Sequence, residues 1–175
     1  MVNYRRNRIS GGTYFFTVNL YNRQTDLLTQ HIDLLRHAFH VTMKKHPYHI
    51  DAIVILPDHL HTLWTLPEGD DDYPQRWRSI KSQFTRGLKA QHYPIKANKR
   101  GEYFIWQRRY WEHTIRNNRD LQHHIDYIHY NPVKHNHVRH VKQWPHSSFH
   151  QYVEKGLLDK TWGDNFIDIS IKYDE

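Results

Sequence analysis

The sequence predicts an α+β domain: an antiparallel sheet in two layers, with its helices packed on one face. Three observations lead there. Residues 13–20, "TYFFTVNL", alternate apolar and polar positions in the way of a half-buried strand. Two segments, one before and one after residues 48–66, carry apolar residues at helical spacing, and a third follows further along the chain. Between the first two, Pro57-Asp58 separates two apolar β-rich runs at hairpin distance.

Taken in order, Tyr14, Phe16, Val18 and Leu20 share one face of the first strand, and Gly11-Gly12 forms the turn before it. Leu28, Ile32, Leu35, Phe39 and Met43 then form one apolar helical stripe that ends near His46-Pro47. Residues 48–56, "YHIDAIVIL", are apolar on both faces through their second half, which predicts a central strand covered on both sides. "HLHTLWTL" is the next strand and pairs with it. "PEGDDDYP" is a loop whose acids could be mistaken for a metal site; Asp71 and Asp72 belong at the N-terminal end of the next helix, with Pro74 in its first turn. In that helix Trp77, Ile80, Phe84 and Leu88 form the packing stripe, while Arg78, Lys81 and Lys89 project elsewhere. "YFIWQRRYWEHTIR" is strand-like at both ends with a basic break between them. A last helix spans about Asn118 to Asn131, with Leu121, Ile125 and Ile128 as its stripe, and stops where Pro132 follows. The order β, α, β, β, α, β, α resembles a ferredoxin-like or RRM-like sheet. All 175 residues are expected in one domain, with residues 144–175 as a C-terminal extension.

Composition narrows the partner. Lysine and arginine number 25 against 18 acidic residues, a formal net charge of +7, and 17 histidines add positive charge below neutrality. A polyanion is the natural partner. The basic clusters are interleaved with Tyr4, Trp77, Phe84, Trp106, Tyr110 and Trp111, a mixture suited to single-stranded or looped nucleic acid, whose phosphates meet cations and whose bases stack on rings. With no cysteine there are neither disulfides nor thiolate metal sites. No apolar run approaches the ~20 residues of a membrane span, and no signal-peptide core is visible, so a cytoplasmic protein is expected.

His59 and His61 are the first candidates for chemistry. Two residues apart in a strand, they project to the same side and can converge on one divalent ion. The pattern alone is weak in so histidine-rich a chain, and His135-Asn136-His137 repeats it. A second element adds to it: in "LQHHIDYIHYNPVK", Tyr127 and Asn131 are i and i+4, one above the other on a helix. A phenol could act as a nucleophile if a nearby cation or base makes its phenolate available. The plain alternative is that Tyr127 packs at the helix edge and Asn131 caps it.

The segments "NYRRNRISGGTYFFTVNL", "ILPDHLHTLWTLPEGDDDYPQRWRSIKSQFT", "WQRRYWEHTIRNNRDLQHHIDYIHYNPVKH" and "WPHSSFHQY", in that order, resemble the REP-associated tyrosine transposases, bacterial relatives of the single-tyrosine HUH transposases. The resemblance implies the HUH endonuclease fold, with His59-Leu60-His61 as the histidine motif, Tyr127 as nucleophile and Asn131 completing a site for Mg²⁺ or Mn²⁺. It also implies metal-dependent cleavage of single-stranded DNA at repetitive extragenic palindrome (REP) hairpins through a 5′-phosphotyrosyl intermediate, without a nucleotide cofactor or a membrane. A monomer is expected, with a dimer as the alternative. Arg5, Arg6, Arg8, Trp77, Arg78, Lys81, Arg108, Arg109 and Lys134 are the candidates for holding DNA. Two residues depart from the family pattern: Asp58 stands where Asn is common, and Asn136 where Gly is common, in a position Asn tolerates. The competing readings are a DNA-hairpin binder that does not cleave, an RRM-like RNA-binding module, which lacks a "GFGFV" signature here, and a histidine-rich metal-binding protein.

Overall fold

The computed structural model describes residues 7–97, 99, 101 and 103–165. The first strand, β1, is Thr13–Asn19, followed by a single helical turn α1, Leu27–Gln30, and by α2, Ile32–Lys45. The predicted stripe is thus broken at His31, whose backbone leaves the helical region (φ −112°, ψ 38°) and whose ring hydrogen-bonds Gln91 Oε1 at 3.2 Å. Strands β2, His49–Ile55, and β3, His59–Thr65, form the expected hairpin around Pro57-Asp58. Helix α3, Tyr73–Ala90, starts where Asp72 accepts a hydrogen bond from Gln75 N–H, with Pro74 in the first turn.

Strand β4 is only Trp111–Thr114. The neighbouring "YFIW" does not form a strand, which corrects the expectation of one at both ends of that segment. It crosses the end of β1 instead, bridging Leu20 to Trp106, with Tyr21 N–H bonded to Ile105 O and Gln107 N–H to Asn19 O. Helix α4, Asn118–Lys134, is capped by the Asn117 side chain and runs through Pro132 to Lys134 rather than stopping at Asn131. Asn136 then takes the left-handed conformation (φ 58°), as its position predicted. A 3₁₀ turn, Val141–Gln143, and the short helix α5, Phe149–Glu154, follow.

All pairings in the sheet are antiparallel, in the order β2-β3-β1-β4. The α+β class and the antiparallel sheet are as predicted. The helices, however, cover both faces, which corrects the two-layer arrangement. On one face Tyr14, Phe16, Val18, Leu60 and Trp64 pack with Leu35, Ala38 and Phe39 of α2 and Trp77, Ile80 and Phe84 of α3. On the other, Phe15, Ala52, Val54 and Leu63 are covered by Ile125, Tyr127 and Ile128 of α4. That second set is apolar and would otherwise face water, at a cost of about 1.5–3 kcal/mol for each large side chain.

Strand β2 lies at an edge, not in the centre. It is apolar on both sides because helices cover both of its faces, and its outer edge is closed by residues 146–148. Ile55 N–H donates to His146 O, Ser148 N–H to Ile53 O, and Ile53 N–H to Ser148 Oγ at 2.9 Å. An exposed ladder that would invite strand addition is thereby satisfied within the chain. Among the described residues no helix is long and apolar enough to cross a membrane.

Candidate active site

The period of two that places Leu63 against α4 also turns His59 and His61 toward that helix. Both are buried, at 2% and 0% exposure, and their rings stand 5.0 Å apart, nearly perpendicular. Each Nδ1 is already engaged. That of His59 donates to Asp58 Oδ1 at 2.8 Å, and that of His61 meets Thr17 Oγ1 at 2.8 Å, the residue opposite it in the β1–β3 register. Holding Nδ1 fixes ring orientation and directs Nε2 toward a ligand, the usual arrangement behind a metal-binding imidazole.

Burial pushes the His59 imidazole below its ordinary pKa, against the opposing pull of Asp58. A neutral ring is what a metal ligand requires. Burial would raise the Asp58 carboxyl, but hydrogen bonds from His59 and Arg23 prevail and hold it down at about 2. Asp58 therefore enters the site as a carboxylate that orients His59 and is itself clamped by Arg23.

Helix α4 supplies the other wall. Tyr127 is 1% exposed; its ring lies 5.1 Å from that of His61 and 5.8 Å from Phe15. One turn on, Asn131 is fully buried, and neither of its carboxamide atoms has a hydrogen-bond partner among the described residues. His59 Nε2 is in the same condition. One further turn brings His135 to 5.3 Å from the His59 ring. Residues 127, 131 and 135 thus form one stripe whose two ends touch the two strand histidines. Unpaired buried polar atoms are costly, and the donor set of imidazole nitrogens and a carboxamide oxygen fits a divalent ion.

The cationic candidates divide. Arg78, Arg108 and Arg109 are exposed. Arg8 is held by Asp71 at 2.6 Å, and Lys81 donates to Gln107 O at 2.9 Å and lies over the Trp106 and Tyr110 rings. Lys134 is at Tyr127, its Nζ donating to the Tyr127 Oη at 3.3 Å. Arg5 and Arg6 lie outside the described residues. Trp77 requires a correction: it is 1% exposed and stacked on Trp64 at 4.3 Å, so it serves the core and offers no face to DNA.

Sequence reasoning missed Thr17, Arg23 and His135, although His135 continues the i+4 series from Tyr127. It also missed a second constellation. His113 of β4 and Asp120 and His124 of α4 bring three ligand atoms within 4.8 Å, a group able to hold a metal ion. Here Arg116 already occupies the Asp120 carboxylate through its backbone N–H and its Nε, both at 3.0 Å, and His113 Nε2 lies 2.9 Å away. Burial would raise this carboxyl, but those partners hold it well below the usual range; burial pushes His124 down to about 4. The cluster ties the start of α4 to β4.

The family model described as "Transposase IS200 like" matches residues 9–131. A REP-associated tyrosine transposase of Escherichia coli (strain K12) is 49% identical over 172 residues, covering 97% of this chain and 96% of that protein. A relative from Haemophilus influenzae, named for the same family, is 47% identical over 176 residues and covers 99% of both. A solved structure of a REP-associated tyrosine transposase bound to a REP hairpin aligns over 100% of both chains with a TM-score of 0.84 and 46% identity. On sequence and fold together, the chain belongs to the REP-associated tyrosine transposases, within the IS200-like transposase family.

Proposed function

We propose that this chain cuts and rejoins single-stranded DNA beside a REP-type hairpin through a covalent bond to Tyr127. The observation that carries this reading is the convergence of one helical stripe on two strand histidines: Tyr127 against His61, His135 against His59, and between them on the stripe the buried carboxamide of Asn131, without a hydrogen-bond partner among the described residues. A divalent ion, Mg²⁺ or Mn²⁺, would be held by His59, His61 and Asn131 and would draw negative charge from the phosphate under attack.

The chain's own residues supply the rest. Tyr127 gives up its proton and its Oη bonds to phosphorus as the bond to the 3′ oxygen breaks; the departing oxygen takes up a proton. The products are a 5′-phosphotyrosyl link and a 3′-hydroxyl. Attack by a 3′-hydroxyl reverses the step and frees the phenol, so rejoining consumes no nucleotide. An unperturbed phenol ionises near pH ~10, so a cation is needed beside it, and Lys134 donates to its oxygen at 3.3 Å. Tyr127 is 1% exposed and Lys134 lies across its ring at 4.9 Å, so admitting a phosphodiester requires side chains over the phenol to move. Arg78, Arg108 and Arg109 are exposed and would hold backbone phosphates.

The test is a nicking assay on a single-stranded palindrome with Mn²⁺ or Mg²⁺, reading a covalent protein-DNA adduct on a denaturing gel. The wild-type chain forms the adduct and Tyr127→Phe does not. Undiminished turnover in Tyr127→Phe would overturn the assignment.

A further inference from the structure

A cleft of about 550 Å³ lies between α3 and the segment that crosses the end of β1. Its size is that of a small-ligand site. Two of its walls are aromatic rings that the core does not use: Tyr21 is 60% exposed and Phe104 43% exposed, and the two touch with centroids 5.0 Å apart. Together they form an exposed aromatic surface open to a stacking partner. The rim is cationic. Lys81, Arg86, Lys89 and Arg108 line it, and no carboxylate does among the described residues.

Its position ties it to the proposed chemistry. Tyr21 is two residues beyond Asn19, at most about 7 Å along the chain, and Asn19 is the register partner of His59. Arg23, two residues further, reaches Asp58, the carboxylate that orients His59. The cleft opens on the α3 side of this end of the sheet and the histidines face α4, so a single strand leaving the phosphate site would reach Tyr21 and Phe104 by passing round the end of β1.

We propose that this cleft takes one unpaired nucleotide of the single-stranded segment beside the hairpin, with its base stacked on Tyr21 and Phe104 and its phosphate held by Arg86 and Arg108. The assignment rests on the DNA-cleaving reading above and adds to it a stacking subsite separate from the His59–His61–Tyr127 centre. Stacking on aromatic side chains accepts any base, so the cleft discriminates paired from unpaired DNA rather than one base from another. A double-stranded stem keeps its bases inside and cannot enter.

The experiment compares two DNAs: a hairpin with a single-stranded flank, and the same hairpin trimmed to its stem and loop. Wild-type protein is expected to bind the flanked DNA more tightly. The double variant Tyr21→Leu/Phe104→Leu loses about tenfold or more on the flanked DNA and nothing on the trimmed one, whereas Tyr21→Phe keeps wild-type affinity for both. A 2-aminopurine in the flank is quenched by wild-type protein and stays bright with the double variant. Arg86→Gln lowers the salt dependence of flanked-DNA binding by about one unit of slope. Both aromatic positions are exposed, so the substitutions open no core cavity, and an unchanged thermal midpoint checks this. If the double variant binds flanked DNA as wild type does, or loses equally on both DNAs, the cleft is not a nucleotide site although the DNA reading stands. If wild-type protein binds neither DNA, the DNA reading fails and the cleft assignment falls with it.

Discussion

Lys134→Ala separates two roles that one lysine could play, holding DNA or serving Tyr127 as the proposed nucleophile. Its Nζ is 3.3 Å from Tyr127 Oη, and a hydrogen bond to a charged group contributes about 1.5–3 kcal/mol. The side chain is exposed, so solvent screening favours the lower end, about 1.5–2 kcal/mol. At 1.36 kcal/mol per tenfold, that is a rate about 10- to 30-fold slower. Lys134 is in the last turn of α4, where a cation also complements the helix dipole by about 0.3–1 kcal/mol, so the fold should survive its loss. The assay is single-turnover formation of the covalent adduct at saturating DNA, with the dissociation constant measured separately. The expected result is a slower adduct with little change in affinity and substantial recovery in Lys134→Arg. An unchanged rate at saturation combined with weaker binding would refute the reasoning and return Lys134 to the phosphate-contact role that its sequence context suggested.

Further expectations concern the rest of the site and its support. Thr17→Val removes the hydroxyl 2.8 Å from His61 Nδ1 and should weaken Mn²⁺ binding about 10- to 100-fold without altering the fold; titration followed by the Mn²⁺ spin-resonance signal would show it, and an unchanged affinity would mean that Thr17 does not orient His61. Burial holds His129 down at about 3. Below its ordinary value of ~6.5 the unfolded chain takes up a proton that the native chain refuses, so stability is full above pH ~6.5 and is lost as pH falls toward 3, by about 3 kcal/mol at pH 4.5. Urea unfolding at pH 7.5 and 4.5 should accordingly show a smaller acid loss in His129→Gln than in wild type; parallel losses would contradict this.

Much of this architecture is legible in local patterns, because strands and helices are recorded in periods of two and 3.6. The alternation of 13–20, the hairpin at Pro57-Asp58, the position of Asp72 at the start of α3 and the shared face of His59 and His61 depend on neighbours in the chain, and the structure has them as read. What periodicity omits is which neighbour a face meets. Ile125 and Ile128 show that α4 has an apolar side, but not that it covers the opposite face of the sheet from α2 and α3. Doubly apolar β2 looks central, although helices and residues 146–148 can protect an edge equally well. Trp77 satisfied two patterns at once, an aromatic among cations and a member of a helical stripe, and burial decided for the stripe. Lys134 reads as one more cation until α4 is seen to continue through Pro132, which carries Lys134 round to Tyr127.

The alternation of β1 and β3 has an evolutionary consequence. On these strands Tyr14, Phe16, Val18, Leu60 and Trp64 face the aromatic core, while Thr17, His59 and His61 face the site. Neighbouring residues thus answer to different selective demands, folding on one side and chemistry on the other. Under the proposed function, a lineage can lose cleavage by changing His59 or His61 while every side chain that packs α2 and α3 stays in place. The protein that results would keep its shape and its basic surface, so a chain that works as proposed lies one substitution from becoming a scaffold that only holds DNA.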